Sequence, residues 1–322
     1  MSEKNRSCEN GLCLFGKAAR LVSKNDDCEI YSLSDESGNA KFTVYSVFPG
    51  ISLVYKDIHA LRFDPELFKN ERLLEIDHCR EGRAEFSFGE KLCYLSPGDI
   101  DVIFEEESRR GVCYPLRHYH GLSVVIDPEK APQCLSCFLD DVNVRPEKLV
   151  EKFSASKCGT IVRSSPAIEH VFSELYNVPD EIRKGYFKVK VLELLLFLGT
   201  LEVESKETKS CLVSRSRAEL AKNICEYLGE RMNEKVTIEK LCEVFHVCST
   251  SVKSSFKAVY GEAVYSYIRN QKMKAAAKML IETDRSVLEI AGLFGYDNGS
   301  KFAKAFRDTM GKTPLDYRNS NR

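Results

Sequence analysis

No tryptophan occurs in this sequence, an absence that decides nothing about its fold. Other absences exclude more. The most apolar run, VLELLLFLG at residues 191–199, is interrupted by Glu193 and falls far short of the roughly 20 residues that span a bilayer. It predicts a helix that is buried in the chain or faces a second copy, and no membrane partner. No charged stretch followed by an apolar stretch opens the chain, so no signal peptide is expected. The 13 cysteines are odd in number and scattered singly. Together these features point to a reduced, cytoplasmic protein. The pair Cys134-Leu-Ser-Cys137 stands without a second pair, so it is assigned neither zinc nor redox chemistry, and the cysteines are read as structural thiols.

Net charge is also nearly missing, at −1, but this balance hides an asymmetry. From Cys211 onward there are 19 Lys and Arg against 13 Asp and Glu, a net of +6. The first 210 residues hold 28 basic and 35 acidic groups, a net of −7. Either the basic part has an anionic partner, or the imbalance is a fluctuation among solvated faces.

Residues 1–40 are polar, rich in Ser, Asn and Asp, and carry little periodicity. Between residues 41 and 126 short alternating segments dominate: FTVYSVF, ISLVYKDIHALRF, LLEIDHCREG, AEFSFG, KLCYL, DIDVIF and GLSVVID. Turn residues such as Pro97-Gly98-Asp99 separate them, which predicts an antiparallel sandwich or small barrel. Helices are expected in residues 127–203, around 146–153, 165–177 and 180–203. Residues 204–216 read as a linker, and everything from 217 to 322 reads as helical. The fold class is therefore α+β and multidomain. A β-rich N-terminal domain with trailing helices (41–203) precedes an all-α domain.

That all-α part repeats a pattern. At residues 237–261 the chain reads TIEKLCEVFHVCSTSVKSSFKAVYG, and at 286–311 it reads SVLEIAGLFGYDNGSKFAKAFRDTMG. Ile238, Leu241, Cys242 and Phe245 form one apolar helix face, as do Val287, Ile290, Ala291 and Phe294. Ser286 and Glu289 make a capping box, while Thr237 caps the first copy without one because Lys240 occupies the third position. After a short break each copy continues into a second helix, buried at Val252, Phe256 and Val259 or at Phe302, Ala305 and Phe306. Gly261 and Gly311 end these helices as left-handed caps, and Thr313-Pro314 starts a last short one. A helix-turn-helix fits this pattern, as does an ordinary pair of helices in a bundle; the duplication with Lys-bearing outer faces favours the former.

Those outer faces present Thr250, Lys253, Ser254 and Lys257 in the first copy, and Ser300, Lys301, Lys304 and Arg307 in the second. No carboxylate lies between Ser249 and Tyr260 or between Asn298 and Arg307, where one would repel phosphate. Hydroxyls and lysines on a helix in the major groove reach base edges, and Lys257 and Arg307 near the helix ends hold phosphates. Residues 262–283 are Ala-rich and predict an unbroken helix about 33 Å long. Successive turns of one major groove are about 34 Å apart, so two readers on such a strut suit adjacent turns of one duplex face.

Residues 286–318 resemble the DNA-binding domain of the AraC/XylS-type transcription regulators. The resemblance is carried by Ile290, Ala291, Gly295, Tyr296, Ser300, Phe302, Phe306, Arg307, Gly311, Thr313, Pro314, Tyr317 and Arg318, with Val287 in place of the family's Ile. The first copy matches at Leu241, Phe256, Lys257 and Gly261. The resemblance implies base contacts from Thr250, Lys253 and Ser254, and from Ser300, Ala303 and Lys304. It also implies double-stranded DNA and RNA polymerase as partners.

A second resemblance rests on Gly82-Arg83, Tyr94-Leu95-Ser96-Pro97-Gly98-Asp99 and His118-Tyr119-His120-Gly121. It is to the cupin-like sensor domains of that family, which bind a small effector or mediate dimerisation. His78, Arg80, Arg117, Tyr119 and His120 are the effector candidates, the first four as the lining of one cavity suited to an acidic or polyhydroxylated molecule. No metal and no cofactor is assigned, because a metal-binding cupin places His-x-His before its Pro-Gly turn and here it follows.

The expected function is that of an effector-responsive, dimeric, DNA-binding transcription activator rather than an enzyme. The alternative is a cupin-type metal-dependent enzyme fused to a DNA-binding module. A repair methyltransferase is excluded because Asp77-His78-Cys79-Arg80 lacks the proline of the Pro-Cys-His-Arg acceptor motif. A DNA-bending protein fits the acidic N-terminal part poorly.

Overall fold

Alternating burial shows how the strands arise. In GNAKFTVYSVF the side chains of Ala40, Phe42 and Val44 are buried while Asn39 and Lys41 face water, as a period of two requires. The computed structural model describes residues 19–63, 73–88, 90–104, 112–136, 142–154, 159–201 and 212–321. The chain divides into two compact units, Met1–Val213 and Ser214–Arg322.

The first unit opens with ten strands: β1 (Arg20–Lys24), β2 (Glu29–Asp35), β3 (Gly38–Phe48), β4 (Ile51–Ala60), β5 (Leu74–Gly82), β6 (Ala84–Phe88), β7 (Lys91–Leu95), β8 (Ile100–Phe104), β9 (Val112–Cys113) and β10 (Tyr119–Ile126). There follow α1 (Pro146–Ser154), β11 (Thr160–Val162), α2 (Pro166–Leu175), α3 (Arg183–Thr200) and β12 (Leu212–Ser214). An eight-stranded sheet runs β1-β2-β3-β4-β10-β5-β8-β11, and a four-stranded sheet runs β12-β7-β6-β9. The described pairings are antiparallel.

The large sheet is covered on both faces. Leu53, Ile76, Val102 and Leu122 join Phe172, Val191, Leu194 and Leu198 in one core beneath the helices. Tyr31, Phe42, Ile58, Phe86, Leu95 and Tyr119 form the other core, shared with the smaller sheet. The apolar run is thus mostly interior: Val191, Leu194, Leu195 and Leu198 of α3 are buried, each stabilising the unit by about 1.5–3 kcal/mol. Val189 and Leu196 on the same helix remain exposed.

The expectation differs from the structure at several places. Residues 1–18 lie outside the described residues, and 19–40 hold β1, β2 and the start of β3; polar composition hides β1, all five of whose residues are exposed. The stretch 127–203 is not purely helical, since β11 returns to extend the sheet at β8. The expected linker, 204–216, gives way to β12 and then to the first helix of the second unit at Arg215; residues 204–211 lie outside the described residues.

The second unit consists of α4 (Arg215–Glu230), α5 (Ile238–Phe245), α6 (Ser249–Tyr260), α7 (Val264–Glu282), α8 (Val287–Leu293), α9 (Gly299–Met310) and α10 (Pro314–Asn321). Two helix pairs, α5–α6 and α8–α9, flank α7. With 19 residues α7 is about 28 Å long, shorter than the expected strut, because the chain is still turning through Gly261, Glu262 and Ala263. Gly261 and Gly311 adopt φ of 81° and 75° and cap α6 and α9. A side chain with Cβ is strained in that region, which accounts for glycine at both ends.

Candidate nucleic-acid interface

Each helix pair is built from its start signal inward. Thr237 Oγ1 accepts the Lys240 amide hydrogen at 3.2 Å to open α5. Ser286 Oγ accepts from Glu289 N at 3.2 Å while the Glu289 carboxylate accepts from Ser286 N at 2.7 Å, completing the box that opens α8. The first turn bends at His246, which holds φ 53° and ψ 43°. A left-handed histidine is uncommon but tolerated, and Gly295 at φ 75° takes the bend in the second pair. Matching backbone bonds lock both: Val247 N to Cys242 O at 3.2 Å and Tyr296 N to Ala291 O at 3.0 Å.

The N-caps of α6 and α9 are Cys248 and Asn298. Aligning the pairs by Phe256 and Phe306 shows the second turn to be one residue longer. Asn298 uses that length well, since its Oδ1 accepts from Ser300 N at 2.9 Å and Lys301 N at 3.1 Å. The sequence reading missed this cap, because Asp297-Asn298-Gly299 reads equally well as a plain turn. Cys248 is exposed, and hydrogen bonding with Ser251, Sγ to Oγ 3.2 Å, lowers its thiol pKa.

Buried anchors aim the faces. Phe256 is fully buried against Tyr260 and Tyr267, with ring centroids 4.5 and 5.4 Å away. Phe302 and Phe306 are fully buried with Met273, Ala276, Leu280 and Ile290. Truncating such a phenylalanine costs about 3–5 kcal/mol. The small residues Ala276 and Ala277 let α7 approach its neighbours closely. Arg318, which the family motif shares, donates from Nε to Leu280 O at 3.0 Å and also to Arg285 O, so it fixes the chain between α7 and α8. Lys272 Nζ bonds Glu234 O and Phe294 O at 3.1 and 3.0 Å, and burial lowers its pKa.

The residues expected to face DNA lie outward, together with Ser249 and Asp308. Thr250, Lys253, Ser254 and Lys257 are exposed on α6, and Ser300, Lys301, Lys304 and Arg307 on α9; Ala303 is half-buried. Among the described residues, no carboxylate pairs with Lys253, Lys257, Lys301, Lys304 or Arg307. Electrostatically, each face is a cationic stripe beside hydroxyls on a rigid helix.

The effector candidates do not line one cavity. His78 and Arg80 share Tyr176: His78 Nδ1 lies 3.1 Å from its hydroxyl, and the Arg80 guanidinium sits 4.5 Å from the ring centre. Tyr119 projects to the opposite face of the sheet, where its hydroxyl donates to Asp77 Oδ2 at 2.7 Å. Strand alternation separates it from His78, whose ring stacks on Phe172 of α2 at 4.2 Å. Arg117 is exposed in a turn with φ 55°, and His120 is half-buried beside Asp57.

Around Tyr119 lies a buried polar cluster that the sequence reading did not name. Lys56 Nζ is 2.7 Å from Glu75 Oε1 and 3.0 Å from Asp77 Oδ1, and the single Ser123 hydroxyl proton is shared between Glu75 Oε1 at 2.7 Å and Asp77 Oδ1 at 2.8 Å. Burial pushes the Lys56 ammonium toward neutrality, but Asp77 and Glu75 outweigh it and raise the pKa. Burial, then Asp77, raises the Tyr119 phenol. The only sequence signal was the polar alternation Glu75-x-Asp77 beside the apolar Leu74 and Ile76 at the start of β5.

A family model described as a helix-turn-helix domain matches residues 241–320. Over 95 residues the chain is 32% identical to the bifunctional transcriptional activator/DNA repair enzyme AdaA of Bacillus subtilis, covering 30% of this chain and 45% of that protein. Over 103 residues it is 25% identical to the regulatory protein SoxS of Salmonella typhimurium, covering 32% of this chain and 96% of SoxS. Among solved structures, the C-terminal domain of AraT, a response regulator from Geobacillus stearothermophilus, is 25% identical with a TM-score of 0.31, covering 31% of this chain and 84% of that one. The chain thus spans less than half the length of AdaA. Its second unit carries a helix-turn-helix domain of the AraC/XylS type.

Among the described residues, no helix is long and apolar enough to cross a membrane.

Proposed function

We propose that this chain is a sequence-specific DNA-binding transcription regulator in which α6 and α9 each enter the major groove of double-stranded DNA. The carrying observation is the pair of exposed, carboxylate-free polar stripes on α6 and on α9 up to Arg307, each held by buried phenylalanines on a capped helix. Two helix-turn-helix motifs, residues 237–261 and 286–311, are the reading units, joined by α7. Thr250, Lys253, Ser254, Ser300, Lys301 and Lys304 face bases, and Lys257 and Arg307 face phosphates. AdaA is named a transcriptional activator and SoxS a regulatory protein, which supports the same role here.

The N-terminal unit, residues 41–203 at its centre, serves as a cupin-like sensor and dimerisation domain. Its exposed Val189 and Leu196 on α3 are a patch for a second copy. An effector that binds one arrangement of the sensor better shifts the population competent for DNA and for RNA polymerase, in the sense of activation. A coupling of about 1–3 kcal/mol gives a 5–150-fold change in affinity. Regulation rather than catalysis is also favoured by the match to AdaA, which is confined to the helix-turn-helix region.

The test is selection of bound duplexes from a random DNA pool by the full chain and by Lys304→Ala. The wild type should enrich a site of about two helical turns, and the variant should bind that site about 5–150-fold more weakly, as loss of a base contact worth about 1–3 kcal/mol requires. Failure to enrich any sequence, or unchanged affinity in the variant, counts against the proposal.

A further inference from the structure

Three neighbouring strands bring imidazoles and carboxylates to one spot on the face of the large sheet that also carries Leu53 and Leu122. Asp57 and His59 lie two apart on β4, so alternation points both the same way. His120 on β10 is the direct register partner of Asp57, and Glu81 on β5 is the register partner of His120 on the other side. One donor atom each from Asp57, His59 and His120 lies within 4.8 Å of the others. His59 Nε2 is 2.9 Å and His120 Nε2 is 3.1 Å from the same Asp57 Oδ1. Ligands held about 2.0–2.2 Å from an ion sit about 3.0–3.5 Å apart in neighbouring positions, so these spacings need only slight expansion to admit one.

His120 supplies the second observation. Its Nε2 is enclosed and, although 3.1 Å from Asp57 Oδ1, makes no hydrogen bond of acceptable geometry. Its Nδ1 lies 3.5 Å from Glu81 Oε2. A carboxylate beside Nδ1 favours the tautomer with the proton there, which leaves the Nε2 lone pair facing Asp57 and His59. That lone pair and the Asp57 carboxylate oxygen, 3.1 Å apart, repel each other unless a cation or a proton lies between them, and His59 Nε2 comes within 2.9 Å of the same oxygen. The sequence reading assigned no metal because it weighed only His118 and His120; Asp57 and His59 come from another strand through a register that the sequence does not display.

We propose that His59, His120 and Asp57 bind one divalent transition-metal ion of the zinc class, with Glu81 as the positioning residue that orients His120. Nitrogen and oxygen donors of this kind suit zinc and its neighbours rather than calcium or magnesium. With three protein ligands and half-exposed surroundings, the ion keeps at least one position open to water or to a further ligand. The site lies on the sheet face opposite the buried Lys56–Asp77–Tyr119 cluster, so its occupancy does not require the proposed DNA-binding role.

The test is calorimetric titration of the metal-free full chain with zinc chloride, with cobalt chloride as a spectroscopic probe. The expected result is one zinc per chain. Expected too is a cobalt spectrum free of the intense near-ultraviolet band that a thiolate ligand adds, which sets this site apart from cysteine-held metal. His59→Asn, His120→Asn and the isosteric Asp57→Asn should each abolish stoichiometric binding, and Glu81→Gln should weaken it about 10–100-fold. Circular dichroism identifies any variant that fails to fold, and Asp57→Asn, which preserves shape, decides the matter should the histidine variants do so. No one-to-one binding by the wild type, thiolate-ligated cobalt, or undiminished binding by folded Asp57→Asn would overturn the proposal.

Discussion

A neutral imidazole is the only form of His78 that its surroundings favour. The ring stacks on Phe172, Nδ1 meets the Tyr176 hydroxyl, and Nε2 is buried with no hydrogen-bond partner among the described residues. Burial, against the opposing pull of Asp77, lowers its pKa to about 4. In the unfolded chain the same ring titrates near 6.5. The unfolded state therefore binds the proton first as pH falls, so the stabilisation is complete above about 6.5 and is lost as pH drops toward 4. Between pH 7 and 4.5 this one group should cost about 2–3 kcal/mol. Urea unfolding of the full chain at both pH values, followed by near-ultraviolet circular dichroism, should show His78→Phe losing that much less stability than wild type. Equal losses would mean that His78 already titrates in the folded protein as it does in water.

Among the elements, the helix ends explain what was legible beforehand and what was not. The Ser286–Glu289 box, the Thr237 cap and the two left-handed glycines each have a local signature, because capping depends on a few consecutive residues. Asn298 lacks one, yet its single carbonyl oxygen satisfies two backbone donors at the start of α9. Asn298→Ala should destabilise the second unit by about 1 kcal/mol and lower its melting temperature by about 4 °C, while Asn298→Asp, which keeps an acceptor, should not. Differential scanning calorimetry of the three proteins measures this, and equal melting of the alanine variant would show that solvent caps the helix as well. Strand positions were equally legible from alternation, as in β3 through β8, whereas β1 was hidden because no residue of it is buried. Pairing between strands was not legible at all. That His120 lies opposite Asp57 is set by the β4–β10 register, and that it lies opposite Glu81 by a bulge after His120 in the β10–β5 pairing, neither of which periodicity reveals. The effector candidates, chosen along single strands, were accordingly divided between two faces, while the residues proposed to face DNA, chosen along single helices, stayed together.

For the whole molecule the governing quantity is where charge resides. The chain as a whole is nearly neutral, but its net of +6 from residue 211 onward belongs almost entirely to the second compact unit. The cations proposed to meet DNA, Lys253, Lys257, Lys301, Lys304 and Arg307, are spread over two helices that both pack on α7. If that unit suffices for recognition, a fragment of residues 210–322 should fold alone and select the same duplex sequence as the full chain. Freed of an acidic partner unit carrying −7, it should bind at least as tightly at low salt. Each phosphate contact releases condensed counterions, so the slope of log affinity against log salt should steepen by about 0.9 per contact. Lys257→Ala and Arg307→Ala should each flatten that slope by about 1 without changing the preferred sequence, whereas Lys304→Ala should weaken discrimination at one position. Fluorescence anisotropy over a salt series separates the two effects. A folded fragment with no sequence preference would show that specificity requires the strand-rich unit, and unchanged slopes would place Lys257 and Arg307 away from the phosphates.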